Sequence, residues 1–331
     1  MSQTPVFVTG GTGFVGSHVI RKLLAQGQSV RALVRSTSSP KALHGLDVDQ
    51  AVGDLRDRDG LAKAMSGCSE VYHVAADYRL WTRNPQELYD SNVSGTINLL
   101  KAAHAQKVRR VVYTSTVGAL GLSGNGAGAT ETTPVSIQDM IGHYKRSKFM
   151  AEQEAFKLVK AGVPVVVVNP STPVGSWDLK PTPTGKMIVD FLNGGMPGYV
   201  ETGLNLIDVE DVATGHLLAM EKGSVGEKYI LGNRNMSLRE ILEVLSQVSG
   251  KAVVKRRIPR AVAYSAAMVS TGLAYVTGQP PSIPLEGVRM TRKKMFFNAS
   301  KAVKELGLPQ TTIEEALRKA VTWFQENGYV K

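Results

Sequence analysis

Tyr144-Lys145-Arg146-Ser147-Lys148 sets a phenol and an ammonium four residues apart, and on a helix those two side chains share one face. An ammonium beside a phenol favours the phenolate and lowers its pKa from about 10 toward working pH. An acid/base that interconverts a carbonyl and an alcohol needs that property. The spacing alone carries little weight, since a solvated helix produces it readily. Weight comes from Val111-Val112-Tyr113-Thr114-Ser115-Thr116, an apolar strand ending in hydroxyls that could polarise a substrate oxygen. Neighbours on a strand point to opposite faces, so either Ser115 or Thr116 faces the site.

A second group of residues suits a phosphate. Val6-Phe7-Val8 runs directly into Thr9-Gly10-Gly11-Thr12-Gly13-Phe14-Val15-Gly16, and a helical pattern follows. Glycines at 10, 13 and 16 allow a tight turn, close backbone approach to a pyrophosphate, and tight packing of helix on strand. The helix opening offers free N–H groups and a positive dipole end to an anion. The next strand ends in Val34-Arg35-Ser36, with Lys41 close behind, where an acid would bind a ribose 2′-hydroxyl. Arg35 suits a 2′-phosphate by charge and by its bidentate fork. NADP(H) is therefore favoured, and NAD(H) is the alternative.

These groups need a scaffold that brings strand ends together. Short β-branched runs at Val6–Val8, Val30–Val34, Val71–Val74, Val108–Tyr113 and Val163–Val168 alternate with amphipathic stretches at Ser17–Ala25, Leu61–Met65 and Val93–Gln106. That alternation predicts an α/β fold, a Rossmann-type doubly wound parallel sheet with helices on both faces. The unbroken apolar run Val165–Val168 predicts a strand buried on both sides. Residues 169–185, rich in proline, read as a long functional loop, of a length often found in lids. Beyond it, helices are expected near 209–221, 237–248, 261–275 and 312–326, forming a smaller, mostly helical C-terminal substrate lobe. Leu206–Asp211 and Gly226–Leu231 are expected to return strands to the main sheet. This divides the chain into a dinucleotide-binding domain, 1–170 with returning segments near 205–232, and a substrate lobe at 171–204 and 233–331.

Composition narrows the classes. With 43% apolar and 20% charged residues, the 331-residue chain is an ordinary globular protein rather than a disordered one. Cys68 is the only cysteine, so no internal disulfide forms, and a reducing, cytoplasmic setting is expected. The N-terminus shows no secretory pattern, and no apolar stretch is long enough to span a bilayer. No histidine pair has metal-ligand spacing, so no metal is expected. His73 reads as a satisfied structural histidine and His18 as a packing residue. The formal net charge of +11 suits an anionic cofactor, nucleic acid or an acidic membrane surface. Nucleic acid is set aside because no recognised motif accompanies the charge.

Together TGGTGFVG, GDLRD at 53–57, HVAA at 73–76, the strand ending in Ser115-Thr116, YKRSK and NPSTPVG resemble the extended short-chain dehydrogenase/reductase family. That family contains nucleotide-sugar epimerases and dihydroflavonol 4-reductase-like enzymes, and the match spans essentially the whole chain. The resemblance implies that Tyr144 and Lys148 are catalytic and that the family's serine falls on Thr116, with Ser115 one place earlier. It implies that Asp54 and Leu55 flank the adenine. Val74, Ala75, Ala76 and Thr114 would line the cofactor, Pro170 and Pro173 would lie by the nicotinamide, and Asn92 would sit near the site. A homodimer is expected by the same analogy. HVAADYRLW, YKRSKF, NPSTPVGSWDLKPTPTG and RMTRKKMFF resemble, more narrowly, the bacterial hopanoid-associated sugar epimerases, which implies a role near hopanoid side-chain biosynthesis without settling the substrate; a small-molecule or lipid-linked sugar is the expected one.

On the substrate side, Asp77, Tyr78, Arg79 and Trp81 directly follow the HVAA strand end, where ligands of open α/β sheets bind. A Tyr/Trp/Arg group can stack on a sugar or apolar ring and hold its hydroxyls. Asn169, Lys180, Thr182 and Thr184 are further candidates. Residues 261–285 contain no charge and are flanked by Lys251, Lys255, Arg256, Arg257 and Arg260 before and by Arg289, Arg292, Lys293 and Lys294 after. They read first as a buried helix roofing the substrate pocket with basic rims in water. The other reading is a lipid-facing patch resting on an anionic membrane at its inner face. Three functions follow: NADPH-dependent carbonyl reduction, epimerisation through a transient keto intermediate, or a catalytically silent NADP-binding sensor or scaffold. Because tyrosine and lysine are both present, the last is the least favoured.

Overall fold

Valine-rich runs build the centre of the molecule, seen in a computed structural model that describes residues 4–123, 126 and 128–331. Ten strands form among the described residues: β1 (Val6–Thr9), β2 (Val30–Val34), β3 (Asp49–Val52), β4 (Glu70–His73), β5 (Arg110–Thr114), β6 (Val165–Pro170), β7 (Thr172–Val174), β8 (Gly203–Asp208), β9 (Lys228–Leu231) and β10 (Arg234–Ser237). Seven make one all-parallel sheet in the order β3-β2-β1-β4-β5-β6-β9. The order reverses between β1 and β4, which opens a crevice beyond their carboxyl ends. Every residue of β6 is buried, as its unbroken apolar run predicts. β3 escapes sequence inspection: it is a polar, largely exposed edge strand with no apolar alternation.

The helices are α1 (Phe14–Ala25), α2 (Arg58–Met65), α3 (Gln86–Tyr89), α4 (Gly95–Ala105), α5 (Gly142–Lys160), α6 (Pro183–Leu192), α7 (Val209–Lys222), α8 (Leu238–Ser249), α9 (Arg260–Thr277), α10 (Leu285–Met290), α11 (Ser300–Leu306) and α12 (Ile313–Glu326). On one face of the sheet, Val19, Ile20 and Leu23 of α1 pack with Val212 and Ala213 of α7. On the other, Leu61 and Met65 of α2, Leu99 and Leu100 of α4, and Ala151 and Ala155 of α5 close the second core. Each fully buried valine, leucine or isoleucine here contributes roughly 1.5–3 kcal/mol over leaving it exposed.

A third core belongs to the smaller lobe. Val174, Leu206 and Met236 from the sheet β10-β8-β7 meet Ile188 and Phe191 of α6, Ile241 and Leu245 of α8, and Leu317 and Phe324 of α12. The two strands expected to return to the main sheet therefore part company. β9 joins it beside β6, but β8 pairs with β7 and β10 in the small sheet. Apolar alternation names a strand without naming its partner. Nor is 169–185 one long loop: β6 runs through Pro170, β7 follows at once, and α6 begins at Pro183.

Segment 261–285 also differs from its first reading. α9 forms, but only Ala267 and Ala274 are buried along it. It stands on α10 and on the returning strap, where Ile283 N donates to Ser270 Oγ at 3.2 Å and Leu285 N to Thr271 Oγ1 at 3.2 Å. The buried roof is thus an exposed helix. Lack of charge reports apolarity, and apolarity alone does not say that protein covers it.

Candidate active site

Close packing at the β1 turn explains its glycines. Gly10 has φ +75°, and a Cβ there would come within 2.6 Å of Ala75 N and 2.7 Å of its Cα. A Cβ at Gly16 would run into the Gly10 carbonyl. Gly13 N donates to Gly10 O at 2.9 Å, which closes the turn, and Gly13 then begins α1 as an N-cap without a side-chain hydrogen bond. No acid occupies the first turn of α1. The first N–H groups of the helix, beginning with Phe14 and Val15, are thus left for an anion, and Thr12 sits in the turn between the glycines. This cradle fits the pyrophosphate of a dinucleotide.

Val74, Ala75 and Ala76 continue from β4 across the crevice as half-buried backbone. Val74 N donates to Thr9 O at 3.2 Å. Arg35, one residue beyond β2, is exposed and makes no ion pair among the described residues. Asp54 is gripped by Arg56, through Oδ2 at 2.7 Å and Oδ1 at 2.9 Å, and this hydrogen bonding holds its carboxyl below the usual range. Leu55 packs against Gly95 of α4.

Beneath the crevice His73 is fully buried. Ala75 N donates to Thr9 Oγ1 at 3.2 Å, which leaves Thr9 to donate to His73 Nδ1 at 2.8 Å. His73 Nε2 then donates to Thr96 Oγ1 at 3.0 Å, and Thr96 donates to Asn92 O at 2.6 Å. Burial pushes the imidazole down to about 3, so it is neutral at any working pH. It is the satisfied structural histidine expected. His18 likewise packs, with Nε2 at 2.9 Å from Ser176 O.

Tyr144 and Lys148 both lie on α5, as their spacing predicts. Thr116 is the hydroxyl that acts on the Tyr144 phenol, and its oxygen accepts from Gly118 N at 3.0 Å. Ser115 is buried, and its Oγ has no partner among the described residues. The two neighbours therefore divide as strand geometry requires, and Thr116 takes the site side. Burial pushes the phenol up to about 12; the Thr116 hydrogen bond pulls it back, and the fields of Tyr78 and Asp77 raise it further. The lowering expected from Lys148 is absent. Its Nζ is turned beneath the site, donating to Thr114 O at 2.7 Å and Tyr113 Oη at 3.1 Å over the Tyr113 ring. Burial brings this ammonium down to about 7, against the opposing field of Glu152.

Three further residues complete the arrangement. Glu152 is one more turn along α5, so Tyr144, Lys148 and Glu152 form a stack at intervals of four, and that spacing was a signal available in the sequence. Its Oε2 accepts from Asn169 Nδ2 at 2.8 Å. Tyr113, which receives Lys148, carried no signal beyond its place in an apolar strand. Lys145 lies beside Gly118, near Thr116, with its Nζ 3.6 Å from Met295 Sδ, and burial lowers it to about 8.

Several expected ligand contacts are instead internal supports. Asn92 is buried, with Nδ2 donating to Asp77 O and to Ser147 Oγ at 2.9 Å each, and Oδ1 accepting from Asp77 N at 2.8 Å. It ties the loop after β4 to α5 and has no donor left for substrate. Asn169 is fully buried, with Nδ2 also reaching Thr116 O at 3.0 Å. Thr114 gives its hydroxyl to His216 Nε2 at 2.9 Å. Asp77 and Arg79 clamp each other, Arg79 Nε lying 3.0 Å from both carboxylate oxygens, and Glu87 takes another Arg79 nitrogen at 2.9 Å. Opposite charges two residues apart in one loop satisfy each other before any ligand arrives.

Thr182 is the N-cap of α6, accepting from Gly185 N at 3.1 Å and donating to buried Asp178 at 2.8 Å. With Tyr329 Oη on Leu179 O at 2.7 Å and His18 on Ser176 O, segment 175–182 is anchored at three points and is no free lid. Lys180 is exposed and Thr184 half-buried. Pro170 is buried at the end of β6, and Pro173 lies half-buried in β7. Trp81 is half-buried, with a buried Nε1 that has no partner among the described residues; its ring meets Tyr275 of α9 edge-on at 5.7 Å.

A phenol and a threonine hydroxyl beside a glycine-lined crevice at a switch point define a dinucleotide-dependent enzyme of the short-chain dehydrogenase/reductase class. Residues 6–232 match the NAD dependent epimerase/dehydratase family. A Synechocystis sp. protein, provisionally named dihydroflavonol 4-reductase, is 50% identical over 329 residues, covering 98% of this chain and 96% of that protein. Sterol demethylase protein B of Methylococcus capsulatus is 35% identical over 325 residues, covering 98% of this chain and 99% of that protein. The crystal structure of gox2253 is similar with a TM-score of 0.89 and 46% identity, covering 99% of this chain and 100% of that one. The chain belongs to the NAD-dependent epimerase/dehydratase family, within the extended short-chain dehydrogenases/reductases, and is an NAD(P)-dependent enzyme.

Proposed function

We propose that this enzyme uses NADPH to reduce a carbonyl on a sugar or a sugar-bearing hopanoid lipid, or oxidises the corresponding hydroxyl in reverse. The observation that carries the reading is the Tyr144 phenol, held protonated beside Thr116 by burial that raises it to about 12. A protonated phenol is the state required to donate to a carbonyl oxygen as it gains charge. Bound NADPH supplies the hydride. Thr116 holds the substrate oxygen, Tyr144 gives it the proton, and Lys148, supported by Tyr113 and Glu152, holds the cofactor side of the site in place. Arg35 receives the 2′-phosphate, which favours NADP(H) over NAD(H).

Two resemblances support the substrate class: the one to hopanoid-associated proteins, and the 35% identity to a relative named for a sterol, another polycyclic lipid. Trp81 and Tyr78 offer such a substrate aromatic surface. Epimerisation through a keto intermediate is the second reading, favoured by the family's name. The test is NADPH consumption with sugar-bearing and polycyclic aldehydes as substrates. Tyr144→Phe should lower turnover by about a hundredfold to ten-thousandfold while NADPH still binds. Retained turnover in that variant, or substrate isomerised with no net NADPH consumed, would overturn the reduction reading.

A further inference from the structure

We propose that α9, its returning strap and the basic segments on either side form a docking surface for an anionic phospholipid bilayer. Seven of the twelve large exposed apolar side chains among the described residues lie between Val262 and Ile283. Val276 is 82% exposed, Val269 65%, and Val262, Leu273 and Tyr275 58% each. On a helix of about 27 Å the six that belong to α9 fall within an arc of about 160°, one continuous face, and α10 and the strap pack against the same helix. Between α9 and the strap runs a groove of about 750 Å³, walled by Val262, Val269, Leu273, Pro281 and Ile283. Scattered exposed apolar residues are ordinary on a protein surface, but so many on one element mark an interaction surface.

Charge identifies the occupant. Residues 251–294 hold nine lysines and arginines, all exposed, against one acid, Glu286. Among the described residues only Arg257 has a carboxylate within ion-pair distance, Glu201 at 4.0 Å. Glu286 is turned inward over Gly142, at the start of α5. An apolar strip with basic flanks matches the hydrocarbon and headgroup levels of an acidic leaflet. A second copy of the chain fits poorly, because a two-fold contact through α9 would bring the same basic flanks against each other. No helix among the described residues is long and apolar enough to cross a membrane, so the contact is peripheral.

The surface also adjoins the catalytic side. Tyr275 meets Trp81 at 5.7 Å, and Arg83 Nη2 donates to Tyr275 O at 2.8 Å, so α9 is bonded to the loop that follows β4. An amphiphile leaving the bilayer would meet that loop without crossing open water. Docking stands on α9 and its flanks alone and does not depend on the reduction reading.

Co-sedimentation with vesicles tests it. The protein should pellet with phosphatidylcholine mixed with phosphatidylglycerol at low salt, remain in solution with phosphatidylcholine alone, and be released by high salt. Val269→Asp with Leu273→Asp should cut retention about tenfold or more, as should Lys293→Glu with Lys294→Glu. These exposed positions should leave the thermal melt and NADPH binding unchanged. Lys63→Glu with Lys101→Glu, exposed on α2 and α4, should leave retention unchanged. Failure to pellet with the anionic vesicles overturns the proposal. So does equal loss in the Lys63/Lys101 variant, which would mean unspecific attraction. A dimer in solution that Val269→Asp splits, with no vesicle retention, would assign the face to self-association and overturn it as well.

Discussion

Tyr144 carries the residue-scale argument because its protonation state separates the two directions of reaction. With the phenol raised to about 12, it is protonated at neutral pH, ready to donate to a carbonyl and unable to accept from an alcohol. Alcohol oxidation should therefore speed up by about tenfold per pH unit from neutrality upward, as the phenolate fraction grows, while the phenol places no limit on reduction. Initial rates in both directions from neutral to alkaline pH check this. An oxidation rate flat with pH would mean that the phenol is not the base. The sequence located Tyr144 and Lys148 by spacing, and strand alternation left Ser115 and Thr116 as the only choices. It misjudged their coupling, because burial depth and the turn of Lys148 toward Thr114 and Tyr113 are set by packing across two strands. For the same reason Asn92, Asn169, Arg79 and Thr182 read as ligands when each serves the fold.

Elements rather than residues set the cofactor cradle. The β1–α1 turn was legible because its glycines have a steric cause, and that cause is testable. Gly10→Ala places a methyl in a left-handed conformation and against the Ala75 backbone, so it should lose dinucleotide binding and cost about 1–3 kcal/mol of stability. Fluorescence titration and urea melts measure the two effects separately, and normal binding by the Gly10→Ala variant would contradict the packing. The 175–182 segment was not legible, because prolines mark irregular backbone without saying what anchors it. Its buried Asp178 is raised by burial from 3.8 to about 6. Between those values the folded chain keeps a proton that the unfolded chain has lost, so this contribution is present at lower pH and is lost as pH rises through 6. Asp178→Asn should accordingly gain stability relative to the unmodified protein between about pH 4 and pH 7, by up to about 3 kcal/mol. Paired urea melts at the two values read this difference, and a gap that does not widen with pH would place the carboxyl in water.

At the scale of the whole molecule, six of the seven strands of the main sheet were legible as short apolar runs rich in β-branched residues, while the edge strand β3 was not. In the smaller lobe the helices α8, α9 and α12 were legible close to their bounds, but its sheet was not, since β7, β8 and β10 pair across long sequence separations, nor was the exposure of α9, which shows its apolar side chains to solvent. Cofactor binding should nevertheless register across the whole fold. A dinucleotide held by the ends of β1, β2 and β4 would bind only the folded chain, so it should stabilise the native state by an amount set by concentration over Kd, about 2.7 kcal/mol at a hundredfold excess over Kd. If Arg35 holds the 2′-phosphate, NADPH should raise the melting temperature more than NADH at equal concentration. Arg35→Ser should abolish that difference by weakening NADPH alone, with the melt of the cofactor-free protein unchanged because Arg35 is exposed and makes no ion pair among the described residues. Equal shifts from both cofactors in the unmodified protein would remove the basis for preferring NADP. A lowered melt in the cofactor-free variant would instead give Arg35 a structural role that its exposure does not predict.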